Sequence, residues 1–275
     1  MEILSVILFL VGITLVALIF KKAMSPDNLK KNMRSAAFVS LLLVVFGFFI
    51  SMFIFYSALS LATVAFSSLL LLPYNMNVFH MRAKCASRKW SHIFHRHNDL
   101  IKFYLYSFFG MAVAYAMLFA LFPPDLSDHL FSSQMSATGL AGNFSNPEIF
   151  FEIISNNLVL VFVAFALSIF YGAGSLYILN YNASLLGMLY GNVFRILIWS
   201  VPSIWLVNPI LYLPHTILEI IGYLLAAVAG GILSEINLSH INRRYLLDSI
   251  TLLIISINII LMAGYIEVIL PGMFG

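Results

Sequence analysis

Between Arg34 and Arg82 the chain runs for 47 residues without a Lys, Arg, Asp or Glu, and a second uncharged run of 42 residues extends from Ile153 to Phe194. A bilayer core about 30 Å thick takes about 20 helical residues per crossing, so each run is long enough for two passes. Composition agrees, with 62% hydrophobic and 9% charged residues, against roughly 25% charged in a soluble domain. That excludes a soluble globular enzyme. A transmembrane barrel would alternate over segments of roughly ten residues, whereas residues 36–72 are continuously apolar. The expected fold class is therefore all-α, a polytopic transmembrane bundle of about eight helices.

Charge distribution orients the helices. Of 14 Lys and Arg, five lie at 21–34, six at 82–102, two at Arg243 and Arg244, and Arg195 stands alone. By the positive-inside rule, loops 21–35, 74–100 and 235–245 are cytoplasmic. The apolar run 3–20 precedes Lys21 and Lys22 and reads as a retained anchor with Met1 outside, since it lacks a basic leader and an A-x-A-like cleavage site. Basic loops at both ends of 36–72 require two helices, about 36–53 and 56–73, joined by a tight outer turn. A crossing over 100–122 leads to an outer loop, 123–148, which carries Asp125, Asp128 and Glu148 but no Lys or Arg, and also an Asn143-Phe144-Ser145 sequon. Residues 149–154 then read as a short interfacial segment. Crossings follow at 157–180, 185–201, 214–234 and 246–270, with a turn over Asn180–Ser184. Both termini fall outside, and the protein is placed in the cell membrane.

Ionisable groups within a bilayer cost on the order of 2.5–3.5 kcal/mol each even on lenient scales, so each demands a partner or a function. Arg195, His215 and Glu219 are singled out as an intramembrane polar site. His215 and Glu219 lie four apart on one helix face, and the same face continues through Gly222, Ala226 and Gly230. A polar and small-residue stripe of this kind should face protein. Two readings stay open: an ion, proton or substrate site, and an Arg195–Glu219 ion pair with His215 capping the helix start. Gly172, Gly174, Gly187 and Gly191 interleave with Asn180, Asn182 and Asn192. That density suits either close helix packing or a broken, re-entrant hairpin lining a path. Glu152, Asn156 and Asn157 stand where this block begins, as a vestibule or as interfacial caps.

His80, Cys85, His92, His95 and His97 have metal-binding side chains, but their spacing matches no zinc pattern, so neither metal nor cofactor is expected. The 82–102 segment reads instead as a basic, aromatic-anchored stretch attracted to anionic lipid headgroups. The lone Cys85 excludes an intrachain disulfide. No protease, hydrolase or P-loop signature is present, and nothing suggests nucleic acid.

The block from 152 to 235 resembles the stage II sporulation protein M family of integral membrane proteins. The resemblance is carried by Asn156-Asn157, Gly172-x-Gly174, Asn182, Gly187, Gly191, Pro214-His215 followed by Glu219, and the small residues Gly222 and Gly230. Residues 96–102, with Pro123, Phe131 and Gln134, look like archaeal members in particular. The chain has Asn182-Ala183 and Pro214-His215-Thr216 where the family usually has Asn-Gly and Pro-His-Gly. The resemblance divides the chain into an anchor helix and basic loop (1–35), a hairpin and basic loop (36–100) and a family-like membrane core (101–275). It also implies a role similar to a membrane scaffold that gathers cell-wall-degrading enzymes. Three functional readings follow. The first is a non-enzymatic scaffold or assembly factor for membrane or envelope partners. The second is an ion or small-solute channel or transporter using Arg195, His215 and Glu219, and the third, a weaker one, is an intramembrane hydrolase. Small-residue stripes also allow a homodimer.

Overall fold

The structure, a computed structural model, describes residues 34–85, 93–139, 147–171, 175–199, 209–234 and 243–274. Among these, seven helices have 21 residues or more: α1 (Arg34–Ile54), α2 (Leu59–Cys85), α4 (Asn98–Leu121), α7 (Pro147–Tyr171), α8 (Leu176–Trp199), α9 (Pro209–Ser234) and α10 (Arg243–Phe274). Three are short: α3 (Ile93–Arg96), α5 (Pro124–Leu130) and α6 (Ser132–Gly139). No strand occurs among the described residues. Six helical stretches are long and apolar enough to span a bilayer. The seventh long helix, α8, carries Asn180, Asn182, Asn192 and Arg195, which lower its apolarity. The expected anchor helix 3–20, the sequon, Gly172 and Gly174 lie outside the described residues.

The helices form two groups. In the first, α4 packs against α1 and α8, and α2 packs against α1 and α8; in the second, α9 packs against α7 and α10. Glycines set the closest approaches within each group. A Cβ on Gly110 would sit 2.0 Å from the Ala37 carbonyl of α1, one on Gly187 would sit 2.7 Å from the Ala112 carbonyl of α4, and one on Gly230 would sit 2.2 Å from the Phe165 carbonyl of α7. Such contacts let dispersion and weak polar forces bind helices that lipid would otherwise solvate equally well. Hydroxyls buried in these seams bond locally, as Ser51 does to the Gly47 carbonyl and Ser68 to the Val64 carbonyl at 2.7 Å. Serine is thus tolerated in a helix with no water nearby.

Four boundaries differ from the sequence expectation. The turn placed over Asn180–Ser184 is helical: α7 ends at Tyr171 and α8 begins at Leu176, so Asn180–Ser184 lies within α8. Asn180 and Ser184 read as turn residues because they compete locally for backbone hydrogen bonds, yet here they bond to other helices. Asn180 Nδ2 reaches Ser67 Oγ (2.7 Å), Ser68 Oγ (2.9 Å) and the Val64 carbonyl (3.0 Å) on α2. The interfacial segment 149–154 is part of α7, which starts at Pro147, a residue whose missing N–H suits a first helical turn. Helix α2 runs through Pro73 to Cys85, shortening the basic loop. Lastly, the loop 123–148 opens with the helices α5 and α6.

The glycine contacts differ in how much they can yield. Gly110→Ala sets a methyl group against backbone, and overpacking of that kind costs about 1–3 kcal/mol or more. Gly222→Ala meets the flexible end of Ile260 at 2.8 Å, which can rotate away. Thermal unfolding in detergent should therefore show a clearly larger midpoint loss for Gly110→Ala than for Gly222→Ala.

Candidate functional site

The expected polar site is divided between the two helix groups. Arg195 lies one turn from the end of α8 and is 3% exposed. Its Nη1 donates to Asp128 Oδ1 at 2.6 Å, and its guanidinium lies over the Phe119 ring, 4.9 Å from the centroid. The anticipated Arg195–Glu219 pair is therefore corrected: the arginine's ionic partner is Asp128 on α5.

Asp128 can reach it because α5 and α6 fold back against the first group. Phe131, between them, packs edge-on against Tyr115 (6.0 Å) and Phe119 (5.0 Å), and Phe119 is thereby shared with the arginine. Gln134 on α6 accepts from Ser60 Oγ of α2 at 2.7 Å and donates to Ser184 Oγ of α8 at 2.8 Å. The His129 ring bonds to the Tyr56 carbonyl. The feature that turns back toward the bundle is thus α5–α6, and the glycine- and asparagine-rich stretch is a continuous helix from Leu176 onward.

Glu219 belongs to the second group. Asn157 Nδ2 of α7 donates to Glu219 Oε1 at 2.7 Å, and Tyr223 donates its hydroxyl to Asn157 Oδ1 at 2.6 Å. Asn157 uses both ends of its amide, so the three groups form a chain between α7 and α9. His215, one turn before Glu219, is 6% exposed. A second carboxylate, Glu267 on α10, lies within electrostatic reach of both Glu219 and Tyr223. Glu152 and Asn156 are exposed and take no part.

The remaining sequence-singled residues serve packing. Gly191 meets Ala116 and Gly222 meets Ile260. Asn182 bonds to the Ile178 carbonyl of its own helix, and Asn192 is half-buried on α8. Beside Gly187, α4 and α8 leave a cleft of about 540 Å³ lined by Ala112, Ala116, Tyr190 and other side chains of almost wholly apolar surface.

Asp128, Gln134, Glu267 and Asp248 were not anticipated as partners. The membrane-cost argument, applied to the crossing 246–270, singles out Asp248 and Glu267 directly. Asp128 carries no such signal, since an acid in a segment outside the apolar runs is ordinarily solvated.

Asp128→Asn leaves the buried guanidinium beside a neutral partner. Breaking a buried pair costs about 3–5 kcal/mol, and because the Asp128 side chain is 39% exposed a loss of about 1–2 kcal/mol is expected. Thermal unfolding in detergent checks this. Arg195→Gln should add little in the double variant, and Glu219→Gln, which keeps the Asn157 contact and leaves the arginine paired, should cost less than Asp128→Asn.

The family model described as Stage II sporulation protein M matches residues 103–270. No curated protein and no solved structure matches the chain. The matched stretch runs from α4 to α10, more than half of the chain, and contains the Asp128–Arg195 pair and the Asn157, Glu219, Tyr223 and Glu267 cluster. With several helices apolar enough to cross a bilayer, this chain is a multi-pass membrane protein of the stage II sporulation protein M family.

Proposed function

We propose that the protein is a non-enzymatic membrane scaffold or assembly factor for membrane or envelope partners. The observation that carries this reading is how the polar side chains in the bundle are used. Arg195 is spent on Asp128, Asn180 on Ser67 and Ser68, Gln134 on Ser60 and Ser184, and Asn157 on Glu219 and Tyr223. Each bond ties one element to another, and together they stiffen the frame that presents α5 and α6 at one end. A rigid display of two short helices serves docking, since pre-organised surfaces lose less entropy on binding. In this reading α5–α6 lies outside, the basic loops lie in the cytoplasm, the 82–102 segment holds anionic lipid headgroups, and a second copy of the chain is an admissible partner.

A second reading, transport of an ion or small solute, is favoured by one feature: Glu267 lies within electrostatic reach of Glu219, and an unneeded carboxylate within a bilayer is costly. Hydrolysis has less support, because His215 and Glu219 on one helix make only part of a catalytic set.

Ion and proton flux in proteoliposomes separates the first two. Wild type and the His215→Ala/Glu219→Ala double variant, reconstituted equally, should both match protein-free vesicles. A photo-crosslinker at the exposed Ser136 of α6 should trap a discrete membrane or envelope protein in native membranes. Flux in wild type that the double variant loses overturns the scaffold reading in favour of transport.

A further inference from the structure

Almost all the described fastenings between helices stay within one helix group. The side-chain bonds of Asn180, Gln134 and Arg195 join members of the first group, while those of Asn157, Ser249 (to the Ala229 carbonyl) and Ser256 (to the Gly222 carbonyl) join members of the second. All seven glycines whose close contacts are described follow the same division: Gly47, Gly110, Gly187 and Gly191 meet the first group, and Gly222, Gly230 and Gly264 meet the second. Across the seam, α9 approaches α4 and α8 far more sparsely than it approaches α7 and α10.

Among the described residues, a polar fastening does cross the seam. Asp248, near the start of α10, accepts from Arg96 Nε at 3.0 Å, from Arg96 Nη2, and from His97 Nε2 at 3.0 Å. Arg96 and His97 immediately precede α4. His97 is 2% exposed and Asp248 5%, with Arg244 also within electrostatic reach of the imidazole. A carboxylate held by a two-point guanidinium contact is among the strongest side-chain fasteners. Two internally tight bodies sharing a thin seam and one such contact have the form from which rigid-body motions arise. We propose that α7, α9 and α10 move as one body against α1, α2, α4 and α8, and that Arg96, His97 and Asp248 form the latch closing the seam at the basic end.

Distances between spin labels in the reconstituted full chain test this, in a Cys85→Ser background. Exposed positions supply a cross-seam pair, Lys102→Cys on α4 with Thr251→Cys on α10, and an internal pair, Lys102→Cys with Tyr177→Cys on α8. The latched protein should give one narrow cross-seam distribution. Asp248→Asn should add a longer population holding at least about a tenth of the molecules, the scale of a measurable minor state, while the internal pair stays unchanged. The reversed pair Arg96→Asp/Asp248→Arg should restore the narrow distribution. An unchanged cross-seam distance in Asp248→Asn overturns the proposal, as does broadening of the internal pair alongside it. Should Asp248→Asn fail to accumulate, Arg96→Gln, which retains the His97 contact, is read by the same outcomes.

Discussion

Hydrocarbon supplies no hydrogen bonds, so a polar atom within the bundle gains a partner only from the protein itself. That constraint explains more of this structure than apolar burial does, because lipid tails solvate leucine as well as another helix would. What distinguishes one arrangement of the helices from another is which serines, asparagines and charges can be satisfied together. Asn180 seats α8 against α2, Asn157 seats α9 against α7, and Arg195 draws α5 down onto α8. Close glycine contacts then bring the backbones near enough for such short side chains to meet.

Economy in the use of these groups has a functional side. Gln134 donates and accepts with one amide, and Asn157 does the same in the other helix group. Phe119 receives both the Arg195 cation and the edge of Phe131, tying the placement of α5–α6 to the last turns of α8. The second group holds its carboxylates differently: Glu219 has a neutral amide as its partner, and Glu267 stands in the same field.

Much of the fold was legible because transfer of apolar surface out of water is additive along a chain. The uncharged runs and the paired crossings before residue 74 follow from length and charge alone, whereas the place of the break between them does not, and the structure sets it after Ile54. The turn before α8 was misread because asparagine and serine have a local preference for turns that an interhelical bond outweighs. The second crossing was expected over about 56–73, yet α2 continues through Pro73 to Cys85, because loss of one backbone bond does not end a helix held on several sides. Glu219 was correctly seen to need a partner, but the residue that met the need, Asn157, was legible only as one of two adjacent asparagines.

By itself, then, the sequence determined that this chain is a helical multi-pass membrane protein and to which family it belongs, since those follow from residue-by-residue transfer energies and from motif spacing. Only the tertiary structure decided who pairs with whom: Arg195 with Asp128, Glu219 with Asn157, and Asp248 with Arg96 and His97 across 151 and 152 positions of chain. Pairing over such separations depends on how helices are ordered in the bundle, and that order is set by the joint satisfaction of buried polar groups rather than by any local preference of the residues concerned.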